Sequence, residues 1–172
     1  MFREPSLIEI SALIDVPAAA VETLLDRAFG ADRHARTAYK VRGAAAAIPA
    51  LSFAACDAGA LVGSIQCWPV RFVADDGATT AVVMVGPVAV MPERQRDGIG
   101  RQLVETALAA ATREGLDGAL MLIGDPEYYG RFFGFTAART AGWRLPGPVE
   151  RHRLLARGEV VPGGAGALRS VR

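Results

Sequence analysis

Between Thr79 and Ile123 the chain has few structural options. Thr79 to Val90 is an almost unbroken apolar run, rich in β-branched residues, which suits a strand buried on both faces better than a helix. Gly98-Ile99-Gly100 follows. From there Ile99, Leu103, Val104, Ala107, Leu108 and Ala111 fall on one helical face, with Arg101, Gln102, Glu105, Thr106 and Arg113 opposite. Gly115 stops that helix, and Ala119-Leu120-Met121-Leu122-Ile123 reads as a second buried strand. Strand, loop, helix, strand is a βαβ unit, which predicts that its two strands are parallel neighbours.

The remaining elements are arranged around that unit. Leu7-Ile8-Glu9-Ile10 reads as a short strand. Asp15-Val16-Pro17 supplies a capping side chain near a first-turn proline, and a helix carried by Val21, Leu24, Leu25, Ala28 and Phe29 ends at Gly30. Asp32 to Arg42 predicts a second, more polar helix that faces solvent or substrate. Phe53–Cys56 and Leu61–Trp68 are β-prone runs around Asp57-Ala58-Gly59, a hairpin signal, and Pro69–Val73 continues extended to the turn Asp75-Asp76-Gly77. Pro126–Phe135 is a short aromatic helix ending at Gly134, with Asp125 as its cap. Trp143-Arg144-Leu145 is a late strand, Val149–Arg157 predicts a helical turn or two, and the Gly163-Gly164-Ala165-Gly166 end reads as frayed.

Composition narrows the class of protein. At 172 residues, 51% hydrophobic and 22% charged, the sequence predicts one domain, with its core over about residues 7–157. No apolar run approaches the length of a membrane span, and Arg3 and Glu4 do not suit a signal peptide, so a cytoplasmic protein is expected. A net charge of +1 offers no field for nucleic acid or an anionic membrane. Arg residues 139, 144, 151, 153, 157, 169 and 172 outnumber Glu150 and Glu159, which reads as a solvated tail or as a lining for an anionic ligand. Lys40 is the single lysine beside many alanines, a bias expected of a GC-rich bacterial gene. Cys56 and Cys67 lack metal or redox spacing and read as buried free thiols; with only His34 and His152 to add, no metal site is expected.

Glycines between a strand and a helix N-terminus make an anion site, because the first helical N–H groups lack internal partners and the dipole is positive there. Gly100-Arg101-Gln102 departs from the Gly-Lys-Ser/Thr of a P-loop, and Leu103 stands where a dinucleotide fingerprint needs its third glycine. What remains is Gln95-Arg96-Asp97-Gly98-Ile99-Gly100, a Q-x-x-G-x-G loop after a strand that contains Pro87.

Here the sequence resembles the GNAT superfamily of N-acetyltransferases, and within it the bacterial YhbS-type branch. The resemblance spans roughly Leu7 to Arg157 and is densest at Gly86–Pro92, the Gln95–Gly100 loop, Gly124–Phe132, Gly134-Phe135 and Leu145–Glu150. It implies an α+β (mixed α/β) acyl-CoA N-acyltransferase fold, its mixed sheet splayed centrally with helices on both faces. It further implies acetyl-CoA as cosubstrate. The pyrophosphate would lie on backbone amides from about Arg96 through Asp97, Gly98, Ile99 and Gly100 to Arg101, in the loop where Gln95 is a further cofactor-binding residue, with Arg94, Arg96 and Arg101 meeting the remaining charge. Pantetheine would pair with Val88, Ala89 and Val90, where Pro87 interrupts the ladder.

The family's general acid is a Tyr in the helix after the second parallel strand, which implies Tyr129, with Tyr128 as the alternative. Tyr129 precedes Gly134 by five residues rather than the family's four, so the Phe132-Phe133 doubling reads as an insertion. Thr79–Val90 holds no acidic residue, so the base is elsewhere, Asp125 being one candidate, or a water chain serves. Arg33, His34, Arg36, Thr37 and Tyr39, together with Trp68 to Arg71, are the candidate contacts for the amine acceptor. The function implied is N-acetylation of a small molecule, peptide or protein, with a catalytically idle acyl-CoA-binding sensor as the alternative; a homodimer is left open.

Overall fold

The computed structural model describes residues 7–172; Arg3 and Glu4 lie outside the described residues. The elements in order are β1 (Ile8–Ala12), α1 (Ala18–Phe29), α2 (Thr37–Arg42), β2 (Phe53–Asp57), β3 (Ala60–Ala74), β4 (Thr79–Val90), α3 (Ile99–Arg113), β5 (Leu120–Ile123), α4 (Pro126–Phe133), β6 (Trp143–Arg144), β7 (Leu154–Arg157) and β8 (Gly166–Ser170). Among the described residues the sheet has eight strands in the order β1-β2-β3-β4-β5-β7, with β8 pairing β3 and β6. It is mixed: β4 and β5 are parallel, as the βαβ pattern predicts, while β1–β2, β2–β3, β5–β7 and β3–β8 are antiparallel. The described residues form two compact units, 7–33 with Ile48–Cys67 and Gly86–Ala111, and His34–Ala47 with Trp68–Val85 and Thr112–Arg172.

In the first unit, Ala58 and Gly59 both have positive φ, 49° and 82°, the backbone a two-residue hairpin needs between β2 and β3. Leu24 and Leu25 of α1 pack with Leu13, Val21, Ala54 and Ala89. Asp15 does not cap α1. It ends a short 3₁₀ turn, and Pro17 takes the cap position, its carbonyl accepting the N–H of Ala20 at 3.0 Å and of Val21 at 3.3 Å. On the other side, α3 lies against bare backbone. A Cβ on Gly63 would stand 2.9 Å from Ile99 Cγ2, 3.1 Å from Leu103 Cδ1 and 3.2 Å from the Ala89 carbonyl oxygen.

The polar segment after Gly30 is not one helix. Arg33–Ala35 is a 3₁₀ turn, Arg36 is extended, and only Thr37–Arg42 is α-helical. The cause lies in the first unit: Arg33 is 2% exposed, its Nε 2.9 Å from Asp26 and its Nη2 bonded to Glu22. Those α1 carboxylates hold the turn in place, so Arg33 is an anchor rather than an acceptor contact.

The second unit packs Trp143 on Phe72, ring centroids 5.0 Å apart, around Met121, Leu154 and Leu168. Two expectations are corrected here. Leu154–Arg157 is a strand, antiparallel to β5 in the register Ile123↔Leu154 to Leu120↔Arg157; the only helical turn nearby is Arg151–Arg153. The glycine-rich end is not frayed either, because it leads into β8, which pairs with Val70–Ala74 of β3 and buries Leu168. Gly166 is required there, since a Cβ would collide with the Phe72 ring.

The contact at Gly63 predicts that Gly63→Ala destabilises the protein by about 1–3 kcal/mol, the usual cost of overpacking. Urea denaturation measures it, with the loss appearing in the transition midpoint.

Candidate functional site

The glycine loop belongs wholly to the first unit. Val88 and Val90 at the end of β4 are half-buried and Ala89 is buried. The parallel ladder of β4 with β5 runs through Val83 and Met84, and Pro87, three residues on, has no N–H to extend it. Met91 N–H donates to the Val62 carbonyl at 2.9 Å, and the chain turns through Pro92–Arg94. Gln95, Arg96, Asp97 and Gly98 are exposed, while Ile99, 1% exposed, pins the first turn of α3 into the core.

The two loop glycines have different origins. Gly98 has φ +76°, so its own backbone demands a glycine. Gly100 does not: its φ is ordinary, and a Cβ would meet only Val90 Cγ2 at 3.6 Å and Val88 Cγ1 at 3.8 Å. The fold would accept a side chain at Gly100. The first intrahelical bond is Gln102 N–H to the Gly98 carbonyl, 3.2 Å, and ahead of the helix Asp97 N–H is taken by the Arg94 carbonyl, also at 3.2 Å.

Of the arginines expected to face phosphate, Arg94 is committed to carboxylates. Its Nη1 lies 2.8 Å from Asp57 and its Nε 2.6 Å from Asp97, and these two hydrogen bonds raise its pKa above the usual guanidinium value. It braces the loop against the end of β2. Arg101 is exposed and pairs with Glu105 at 3.0 Å, a surface pair of little energetic weight, and Arg96 is exposed.

Tyr128 and Tyr129 lie in the second unit, on α4. Asp125 caps that helix as expected, its Oδ1 accepting the Glu127 N–H at 3.0 Å, and Gly134 closes it at φ 73°. The Tyr129 ring stands over Gly124, where a Cβ would come within 2.6 Å of its Cε2. It also packs near Phe133 and Phe135, with centroids 6.1 and 6.3 Å away, and edge-on to Tyr128 at 5.0 Å. Burial, reinforced by the neighbouring Tyr128, pushes the Tyr129 hydroxyl up to about 12, so it stays protonated across neutral pH. Tyr128 instead packs with Phe132 at 5.4 Å and Phe133 at 5.7 Å.

The segments expected to meet an acceptor divide. Thr37 is buried and donates to the Pro148 carbonyl at 2.6 Å, which ties α2 down. His34 is exposed, edge-on to Tyr39, and Arg42 lies between the rings of Tyr39 and Trp68. Sequence reasoning missed Ser64 and Gln66, two apart on β3 and therefore on one face, whose Oγ and Oε1 are buried without hydrogen-bond partners. Polar side chains at alternate positions of an apolar strand were the available signal. Among the described residues no His/Cys/Asp/Glu group could hold a metal, and no helix is long and apolar enough to cross a membrane.

The model of the Acetyltransferase (GNAT) family matches residues 18–135. No curated protein sequence matches the chain. Among solved structures, the GNAT family N-acetyltransferase YhbS of Escherichia coli, in complex with CoA, superposes with a TM-score of 0.71 at 25% identity, over 99% of this chain and 93% of that one. A GNAT family acetyltransferase of Brucella melitensis in complex with acetyl-CoA gives 0.67 at 24% identity, over 96% of each chain.

Two raised pKa values predict the alkaline stability profile. Burial pushes Cys67 from 9.0 to about 12, and Tyr129 rises from 10.0 to about 12. Both groups are neutral in the folded state where the unfolded chain would ionise them. Their contribution is therefore complete below about pH 9 and is lost as pH rises through about 12. The melting temperature should fall across that window, and Cys67→Ala should shallow the fall; circular dichroism melts at stepped pH measure both.

Proposed function

The chain belongs to the GNAT family of acetyltransferases, its match covering residues 18–135, and from that premise we propose that it moves an acetyl group from acetyl-CoA to a primary amine. It is an acyltransferase. The whole chain is read as one acetyltransferase domain, working in a bacterial cytoplasm, with a small molecule, a peptide or a protein as acceptor.

The observation that carries the proposal is Gly100. Neither φ nor packing asks for a glycine there, whereas a pyrophosphate on the first-turn amides does, because a Cβ and its substituents would stand in the way. The amides from about Arg96 to Arg101, apart from the Asp97 N–H that the Arg94 carbonyl takes, would receive the pyrophosphate, with Arg96 and Arg101 exposed beside them. Val88, Ala89 and Val90 would pair with the pantetheine amides as an added strand does. Arg94, bonded to Asp57 and Asp97, positions the loop rather than the phosphate.

Acetyl-CoA supplies the thioester: a C–N bond forms as the C–S bond breaks, the amine loses a proton and the departing thiolate gains one. Tyr129 keeps its proton on Oη across neutral pH, and the Gly124 surface together with Phe133 and Phe135 fixes its ring. We assign it the thiolate protonation. Tyr128, edge-on to Tyr129 and sharing Phe133 with it, is the alternative. Asp125 is engaged in capping α4, and β4 carries no acidic residue, so the amine proton leaves through water. That missing acid also favours the second reading, an acyl-CoA-binding module without turnover; the two readings separate on whether any amine is acetylated.

Acetyl-CoA and free CoA should both raise the melting temperature, by linkage. Gly100→Asp sets a side chain and a like charge against the phosphates, so it should abolish that rise while leaving the unliganded melt close to wild type. Equal binding by the variant would remove the loop from the proposal.

Tyr129→Phe keeps the ring and removes the proton. The expected result is a fall in kcat of about 10²- to 10⁴-fold with the acetyl-CoA thermal shift retained. Loss in Tyr128→Phe instead would transfer the role to Tyr128.

A further inference from the structure

Trp68 carries a donor that the described residues do not satisfy. Its side chain is 7% exposed, and its indole Nε1 is buried with no hydrogen-bond partner. Trp143, in the same unit, shows the ordinary solution, donating its Nε1 proton to the Pro162 carbonyl at 3.0 Å. A buried indole N–H left alone is costly, so the position of Trp68 calls for an acceptor atom beyond the described residues.

The surroundings indicate which kind. The Arg42 guanidinium carbon lies 3.9 Å from the Trp68 ring centroid and 3.8 Å from that of Tyr39, a cation between two aromatic faces. From Arg33 to Cys56 the sequence holds Arg33, Arg36, Lys40 and Arg42 and neither Asp nor Glu. Arg33 is bonded to Glu22 and Asp26. Within the sheet, β4 lies between β3 and β5, so the strand bearing Trp68 is about 10 Å from the strand that leads into Tyr129.

We propose that Trp68, with Arg42 beside it, binds the acceptor substrate through an anionic oxygen, so that the acetylated amine belongs to a carboxylate-bearing molecule, an amino acid or a short peptide. This rests on the acetyltransferase reading and narrows it. Polycationic acceptors, polyamines and aminoglycosides among them, would bring like charge to Arg36, Lys40 and Arg42 and offer the indole no oxygen anion.

The test measures CoA release from acetyl-CoA with free amino acids and dipeptides, each also supplied as its C-terminal amide, and with spermidine and kanamycin as polycations. At least one acid form should exceed its amide by about tenfold or more in kcat/KM, the difference residing in KM. Trp68→Phe keeps the stacked ring and removes only the N–H, so the preference should shrink to about threefold or less while the acetyl-CoA thermal shift persists. Arg42→Gln should shift the preference the same way and serves if Trp68→Phe fails to fold. Equal use of acid and amide, preference for the polycations, or no acetylated acceptor despite an intact acetyl-CoA shift would overturn the subsite alone. Absence of any acetyl-CoA shift in the wild-type chain would overturn the acetyltransferase reading and this inference with it.

Discussion

Ile99 and Leu103 rest on the bare backbone of Gly63, and the position of the glycine loop follows from that contact. Because α3 starts at Ile99, seating this residue in the core fixes the height at which the helix's first-turn amides emerge. Ala89, whose carbonyl also lies close to the Gly63 position, places the end of β4 against the same strand. A cradle made of backbone amides has no side chains to adjust, so its accuracy depends on how rigidly its parent helix is docked. Interiors packed at crystal-like density supply that rigidity.

Legibility in the sequence followed how local the deciding interaction was. α4 was readable because Asp125, Pro126 and Gly134 determine its ends from within the segment. The βαβ unit was readable because a periodicity change and two glycines mark it. β7 was not, since a four-residue apolar run becomes strand or helix according to its partner, and that partner is β5, far away in sequence. β8 was obscured by its own glycine, which exists to let the Phe72 ring approach. Arg33 looked like a solvent-facing residue until α1 placed Glu22 and Asp26 beside it.

The same distinction separates the two halves of the chemistry. Under the proposed function, binding through main-chain amides leaves its trace in the sequence at Gly100, whereas Gly98 answers to its own positive φ. Recognition of the acceptor uses residue types that occur everywhere. Under the proposed subsite Trp68 stands out only because its buried indole N–H lacks a partner, a property of the folded chain that no sequence pattern carries. Tyr129 falls between these cases: its place after a buried strand was readable, while the Gly124 platform that holds its ring was not.

The fork of Arg94 across Asp57 and Asp97 has a consequence for how this family branch can diverge. One guanidinium spans a carboxylate at the β2–β3 hairpin and another in the glycine loop, so the three positions cannot drift independently. A lysine at 94 would keep the charge but not the two-armed geometry. A neutral residue at 57 or 97 would leave one arm of the fork without its counter-charge. Homologues should therefore retain all three residues or replace them together, and a hairpin that changes length should carry a rewritten loop with it.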